Sequence, residues 1–368
     1  MELAAFSRTY REFYAPAFAI HLGRTDLVRD LFVPVSQLEI DLSLGAAARF
    51  TFTVIDVYSY ELHAFRTPKE NDVLKLLTFG TEVDICMGYG DAKSIPKVVR
   101  GVITEVTTSF PETGAPELTI AGYDHGFLLT IGKNARTWEK KLDSDAVHEI
   151  ASFNNLDAVV ETTTERHAQI EQNQESDWEF LKKLADRNHF ELFVDEQGRL
   201  HFAKPSDKAT AVVRLAWGEG LLSFKPEANL AGQIAKVEVF GWDPKRKEKI
   251  VGVATAGDES GLQGKSAGQR LKAFVRDPAK QPTLRLRQPV FTQAEADQRA
   301  KATLNERAKQ FLTGEGEAIG LPELRPDRNV LLDKLGDPFS KTYYIQQATH
   351  KIDGSGYRTR FKVKETGL

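Results

Sequence analysis

The chain has 368 residues, 41% hydrophobic and 27% charged, with a formal net charge of −3 and one cysteine. That length exceeds the roughly 250–300 residues at which a single hydrophobic core stops growing, so two or more domains are expected. The near-neutral charge excludes a bulk basic field and argues against specific nucleic-acid binding. The single Cys86 excludes a disulfide within the chain, so folding needs no oxidising compartment.

The first 130 residues carry period-two alternation at 17–22, 37–44, 49–56, 81–90, 97–110 and 116–124, each read as a strand. Gly45, Asp91 and Thr113-Gly114 punctuate them, and Asp72 to Leu77 is expected to form a short helix or turn. Cys86 falls in an alternating stretch and is expected to be a small buried strand residue. Strands with one wet and one dry face in series predict an antiparallel sandwich or barrel over 1–130. The N-terminus has no basic segment leading into a long apolar run, and no stretch nears about 18 apolar residues. Cytoplasmic synthesis without a signal peptide or membrane span is therefore expected.

Residues 131–210 change texture toward an α+β insertion. Ser144 to Phe153 reads as a helix with Val147, Ile150 and Ala151 on one side, and a short strand is expected near 157–162. NQESDWEFLKKLADRN follows at 173–188. Ser176 and Glu179 have capping-box spacing, and Asp177 puts negative charge in the first turn. Trp178, Leu181 and Ala185 form an apolar row with Phe180 and Leu184 beside it, and Asn188 is expected to take the left-handed conformation that ends a helix. Phe190, Leu192 and Val194 then alternate, and DEQG leads into RLHFAK, which predicts a hairpin with Gly198 at positive φ.

Residues 211–368 return to strands at VVRLAW, LLSFKPEA and QIAKVEVFGWD, with Lys245 to Lys249 decorating a solvated turn. The Gly- and Ser-rich stretch opening 253–281 predicts a mobile loop insertion. A long helix is expected at about 291–311. Thr292 and Glu295 have capping-box spacing, Phe291 can staple against Ala296, and Ala296, Ala300, Leu304, Ala308 and Phe311 share one face. Its alanines allow close approach to a sheet. GEGEAIG, NVLLDKL, KTYYIQQATHKID and YRTRFKVKE close the chain as strands.

Chemistry is sparse. His148-Glu149 begins like a zinc-protease helix, but Ser152 stands where the second ligand would be, so His148 is expected to be exposed. His125 is assigned to a turn, and His350 to a strand border. Gly314, Gly316 and Gly320 follow a helix and enter a strand, with one residue too many before the third glycine for a nucleotide loop. The pairs Asp195-Glu196 and Glu315/Glu317 sit at turns or on strands. No catalytic, metal or cofactor residues are assigned, and the chain is not expected to be an enzyme.

QNQESDWEFLKKLADRNHFELFVDEQGRLHF (172–202) resembles a segment shared by the phage late-control D family, the baseplate hub proteins of contractile tails, and the hub region of the VgrG spike proteins of type VI secretion. The motif positions are Glu175, Ser176, Asp177, Trp178, Phe180 and Leu181. The closing half adds Gly320 and Pro322 in GEGEAIGLPELRPDRNVLLDKL, then Tyr344, His350, Gly356 and Tyr357 in YYIQQATHKIDGSGYRTRFKV. The resemblance covers about 140–365; the N-terminal block fits by pattern only.

The resemblance implies a mainly β fold with α+β insertions: two tail-tube-like antiparallel β-barrels, at 1–130 and 211–368, plus the smaller α+β insertion. It implies a homotrimeric symmetry adaptor between a sixfold tail tube and a threefold spike, with the motif residues mainly structural. Implied partners are tail-tube or tube-initiator proteins, baseplate wedge components, and a spike protein with an oligonucleotide-fold domain. VgrG proteins continue into such a domain, whereas this sequence stops at KVKETGL, so the spike is expected to be a separate chain. The alternatives are a tail-tube or tube-initiator protein, and a tail-associated cell-wall hydrolase.

Overall fold

The computed structural model of the chain describes residues 2–10, 13–207, 209–243, 246–259, 264–287, 290 and 292–368. Its contacts divide the polypeptide into two units. One comprises Met1–Ser206, Ala318–Asp327 and Gln347–Arg360; the other comprises Asp207–Glu317, Arg328–Gln346 and Phe361–Leu368.

The first unit opens with helix α1 (Leu3–Thr9), then β1 (Pro16–Leu22), β2 (Thr25–Asp26), β3 (Val35–Ser43), β4 (Arg49–Val54), β5 (Tyr58–Ser59) and β6 (Ala64–Phe65). Helix α2 (Val73–Leu76) follows, N-capped by Asp72, and then β7 (Glu82–Tyr89), β8 (Lys97–Ser109) and β9 (Glu117–Asp124). The alternating segments thus form strands as expected. Leu38, Ile40, Phe50, Phe52, Ile85, Leu118 and Ile120 supply the dry face, and Cys86 on β7 is buried in a separate small cluster with Ala19, Ala92 and Ile95.

An α+β part completes this unit: β10 (Asn134–Leu142), α3 (Asp143–Phe153), β11 (Ala158–Val160), β12 (Arg166–Glu175), α4 (Asp177–Asn188), β13 (Glu191–Val194) and β14 (Leu200–Ala203). The hairpin β13–β14 has Gly198 at φ +85°, as its DEQG turn requires. Strands β10 and β12 pair antiparallel and escape the sequence reading, because exposed polar residues dominate both. The C-cap of α4 is His189 at φ 55°, not Asn188. The Asn188 amide is committed elsewhere, donating to Asp143 Oδ2 at 2.6 Å and to the Leu184 carbonyl at 2.8 Å.

The second unit contains β15 (Val213–Trp217), β16 (Gly220–Ala228), β17 (Lys236–Asp243), β18 (Glu248–Thr255), α5 (Ala267–Phe274), β19 (Thr283–Arg287) and α6 (Gln293–Ala308). The last strands are β20 (Leu312–Ile319), β21 (Asn329–Asp333), β22 (Lys341–Asp353) and β23 (Gly356–Glu365); β20, β22 and β23 are divided between the units. The stretch 253–281 therefore carries the end of β18 and a helix capped by a Ser266/Gln269 box. Residues 260–263 of that stretch, Lys245 and the expected staple residue Phe291 lie outside the described residues.

In the first unit the strand order is β2-β1-β7-β8-β9-β4-β3-β22, antiparallel throughout. In the second, β22-β21-β15-β16-β20-β23 closes on itself through the β22–β23 pairing, a six-strand barrel. Hydrogen bonding closes the ring in this block; in the first block the order ends at β2. The barrel of the second block, expected to be antiparallel, includes parallel pairs, because β15 runs parallel to both β16 and β21; outside it, β17 runs parallel to β19 and β11 to β14. The β15–β21, β17–β19 and β11–β14 pairs are separated by intervening elements long enough for a crossover, which parallel pairing needs.

A three-stranded sheet, β18-β17-β19, is covered by α6. The Thr292 hydroxyl accepts the Glu295 amide at 3.2 Å, and Ala296, Ala300, Leu304 and Ala308 are buried. Gly252 of β18 explains the alanines. A Cβ there would stand 2.2 Å from the Ala296 carbonyl, so helix and strand meet backbone to backbone. Gly252→Ala should destabilise the protein by about 1–3 kcal/mol through overpacking. Chemical denaturation checks this, with Gly354→Ala as the open-space control, because a methyl added there would meet nothing within 4 Å and Gly354 does not lie in the left-handed region.

Candidate functional site

The motif residues form two buried polar centres in the first unit and one aromatic contact in the second. At the first centre, the Ser176 hydroxyl accepts the Glu179 amide at 3.2 Å and Glu179 Oε2 accepts the Ser176 amide at 2.9 Å, the expected capping box. Glu175, at the end of β12, is buried and ion-paired with Lys183. Asp177, only 3% exposed, accepts four side-chain bonds. Its Oδ1 receives Asn134 Nδ2 at 2.9 Å, Arg136 at 2.5 Å and Gln172 Nε2 at 2.8 Å, and its Oδ2 receives Asn154 Nδ2 at 3.0 Å. Burial pushes the Asp177 carboxyl up, but these donors together outweigh it and hold it below the usual carboxylate range.

The apolar motif residues fasten this helix on both sides. Phe180 stacks on Trp138 with ring centroids 5.2 Å apart, and Leu181 is wholly buried in the same core. Trp178 donates its indole N–H to the Gly45 carbonyl at 3.2 Å. The Gly45 amide in turn donates to the Leu192 carbonyl at 2.8 Å. Helix α4 and its hairpin therefore grip the β3–β4 turn from both ends of one residue.

The second centre gathers Gly320, Pro322, His350, Gly356 and Tyr357. Tyr357 lies on the Gly320 backbone, where a Cβ would stand 2.0 Å from the ring. The Gly320 amide donates to the Tyr357 carbonyl at 3.0 Å. Pro322 is buried beside it in sequence, and Gly356, at φ +111°, ends the β22–β23 turn. His350 sits inside β22 with no exposure, rather than at a strand border. Its Nδ1 faces the Tyr357 and Thr359 hydroxyls at 3.0 and 3.1 Å, and its Nε2 has no hydrogen-bond partner among the described residues. Burial, helped by the Arg325 charge and opposed by the Leu324 carbonyl, lowers its pKa to about 3.

Residues absent from the sequence reading complete this centre. Tyr10 donates to Glu323, and the Tyr10, Tyr89 and Tyr357 rings follow one another at 5.7 and 5.6 Å. Burial raises the Glu323 carboxyl despite the Tyr10 bond. The spacing of Phe6 in α1 and Tyr10 at its C-cap, one helical turn apart, was the available signal. For Arg136 and Asn154 no local pattern existed; only the fold brings them to Asp177. Tyr344, in the second unit, is buried with Lys309 and Lys364 at 5.5 and 5.3 Å from its ring centroid.

The remaining candidates stay apart. His148 is exposed on α3, and His125 opens a short 3-10 helix after Asp124. Asp195 stands at its hairpin turn, bonded to Arg199 and His201. Gly314 and Gly316 lie on β20 against Phe224 and Phe361. Among the described residues, no group of three or more His, Cys, Asp or Glu side chains is placed to hold a metal ion, and no helix is long and apolar enough to cross a membrane. On the barrel, an open groove of about 440 Å³ is lined by Trp217, Leu222, Ser223, Phe224, Pro226, Lys334 and Leu335. What the motif side chains do chemically is hold strands and helices to one another.

Two outcomes follow. Asp177→Ala leaves Arg136 and three amides without their acceptor and should cost about 3–5 kcal/mol in chemical denaturation. For His350 the folded value, about 3, lies below the ordinary 6.5. The neutral ring therefore adds stability above pH 6.5, and that contribution is lost as pH falls from 6.5 toward 3. His350→Gln should flatten the fall in unfolding free energy across that window; an unchanged slope would remove His350 as its source.

The fold recurs in solved structures. The 43 kDa tail protein of prophage MuSo2 from Shewanella oneidensis is similar with a TM-score of 0.70 and 14% identity, over 95% of this chain and 98% of that one. A tail protein from Neisseria meningitidis gives 0.67 and 14%, over 96% and 97%. An Escherichia coli component of the type VI secretion system, described as structurally similar to T4 bacteriophage tail proteins, gives 0.55 and 14%, over 94% and 76%. No curated protein sequence matches. A family model described as the Alg8 N-terminal domain matches residues 32–354. The chain belongs to the Alg8 N-terminal domain family.

Proposed function

We propose that the protein is a structural baseplate hub of a contractile tail or related injection system. In this reading three copies form a ring that adapts a sixfold tube to a threefold spike. The observation that carries the proposal is whole-chain likeness to a prophage tail protein and a second bacterial tail protein, joined to a closed six-strand barrel. The likeness to the type VI secretion component supports extending it from phage tails to injection devices. The late-control D resemblance of residues 172–202 supplies the hub assignment, and the motif residues there serve as internal fasteners. Each copy brings two β-rich blocks, so three copies offer six, which matches a hexameric tube face. Heterologous contacts that return on themselves close such a ring. Its partners in this reading are tube or tube-initiator proteins, wedge components and a separate spike chain.

A tube-initiator role is the second reading, favoured by the closure of one hydrogen-bonded ring among the described residues. Electron microscopy of the chain co-expressed with the tail genes encoded beside it separates the two. Threefold rings with a central bore are expected. Sixfold rings would assign the chain to the tube, and compact particles without a bore would overturn both.

A further inference from the structure

The β18-β17-β19 sheet has two edges treated differently. At β18, the Gln293 side chain of α6 donates to the Val251 carbonyl at 2.9 Å, and Asp297 Oδ1 accepts the Val253 amide at 3.3 Å. These bonds occupy main-chain groups that another strand would need. At β19 the strand order simply ends, and no strand pairs with its outer side among the described residues.

The side chains of β19 sort by face. Leu284 and Leu286 point toward the α6 side and are only partly buried against its core. Thr283, Arg285 and Arg287 share the opposite face, in register with Lys236, Glu238 and Phe240. There Glu238 is held by Lys236 at 2.6 Å and Arg285 at 2.9 Å. Arg287 is exposed and has no carboxylate partner among the described residues. Lys236, Arg285 and Arg287 thus face one carboxylate, a local excess of positive charge in a chain of net charge −3.

We propose that the outer edge of β19 is a docking edge for an extended segment of a partner polypeptide in which carboxylate and apolar residues alternate. The segment adds as a fourth strand. Its carboxylates lie beside Arg285 and Arg287, and its apolar side chains extend the layer begun by Leu284 and Leu286. Main-chain bonds give such an addition its affinity, and the alternating side chains give it selectivity. A nucleic acid would meet the arginines but has no use for the strand edge or the leucines, so the polypeptide is the better fit.

The test uses the full chain with labelled, end-capped peptides. An alternating glutamate–valine peptide should bind in fluorescence anisotropy, weaken with added salt, and slow amide hydrogen exchange over residues 283–287. A block-ordered peptide of the same composition and an alternating lysine–valine peptide should not bind. Arg287→Glu should weaken binding at least about fivefold, and Arg287→Lys should retain it. Absence of binding, equal binding of the block peptide, or unchanged exchange over 283–287 would overturn the proposal and leave the arginines as guards against unwanted strand pairing. Binding of a single-stranded oligonucleotide in place of the peptide would also overturn it. Salt dependence on the unsubstituted chain keeps the test decisive if a variant folds poorly.

Discussion

A carboxylate shut away from water needs donors enough to replace it, and Asp177 imposes that requirement on the α+β part of the first unit. Its donors come from β10, from the end of α3 and from β12, while its backbone starts α4. One charge therefore fixes the meeting point of a helix start, a helix end and a two-stranded ribbon. Trp178, the next residue, carries that arrangement to the β3–β4 turn through the Gly45 carbonyl. Position after position in the ESDWEFL stretch has a structural partner within the same unit.

The second motif centre uses contact rather than charge. Tyr357 can lie on residue 320 only because that residue has no side chain, and the neighbouring hydroxyls of Tyr357 and Thr359 then orient His350. A histidine in such a place stays neutral because ionising it would strand a charge in an apolar interior. Its Nδ1 hydrogen-bonds two hydroxyls of β23, which suits a residue that locks two adjacent strands.

What the sequence made legible was local. The Ser176/Glu179 box, the Gly198 turn and the alternating strands of the first block are encoded within a few residues and formed where expected. Strands β10 and β12 were hidden because Thr137, Glu139, Gln169 and Glu171 face outward on a ribbon that buries little, so no apolar period marks them. The parallel pairs were hidden because only the path of the chain decides them. Asn188 shows a local rule overridden: its amide is drawn to Asp143, and His189 takes the left-handed position instead. The residues around Asp177 were half legible, the acid from its helix position and its donors not at all.

The close seat of α6 on Gly252 joins two hazards that are usually separate. Any side chain that lifts the helix also withdraws Gln293 and Asp297 from the main chain of β18, baring a strand of alternating Val251 and Val253. A packing fault at one glycine would thereby become a seed for intermolecular aggregation, with the same few ångströms controlling both.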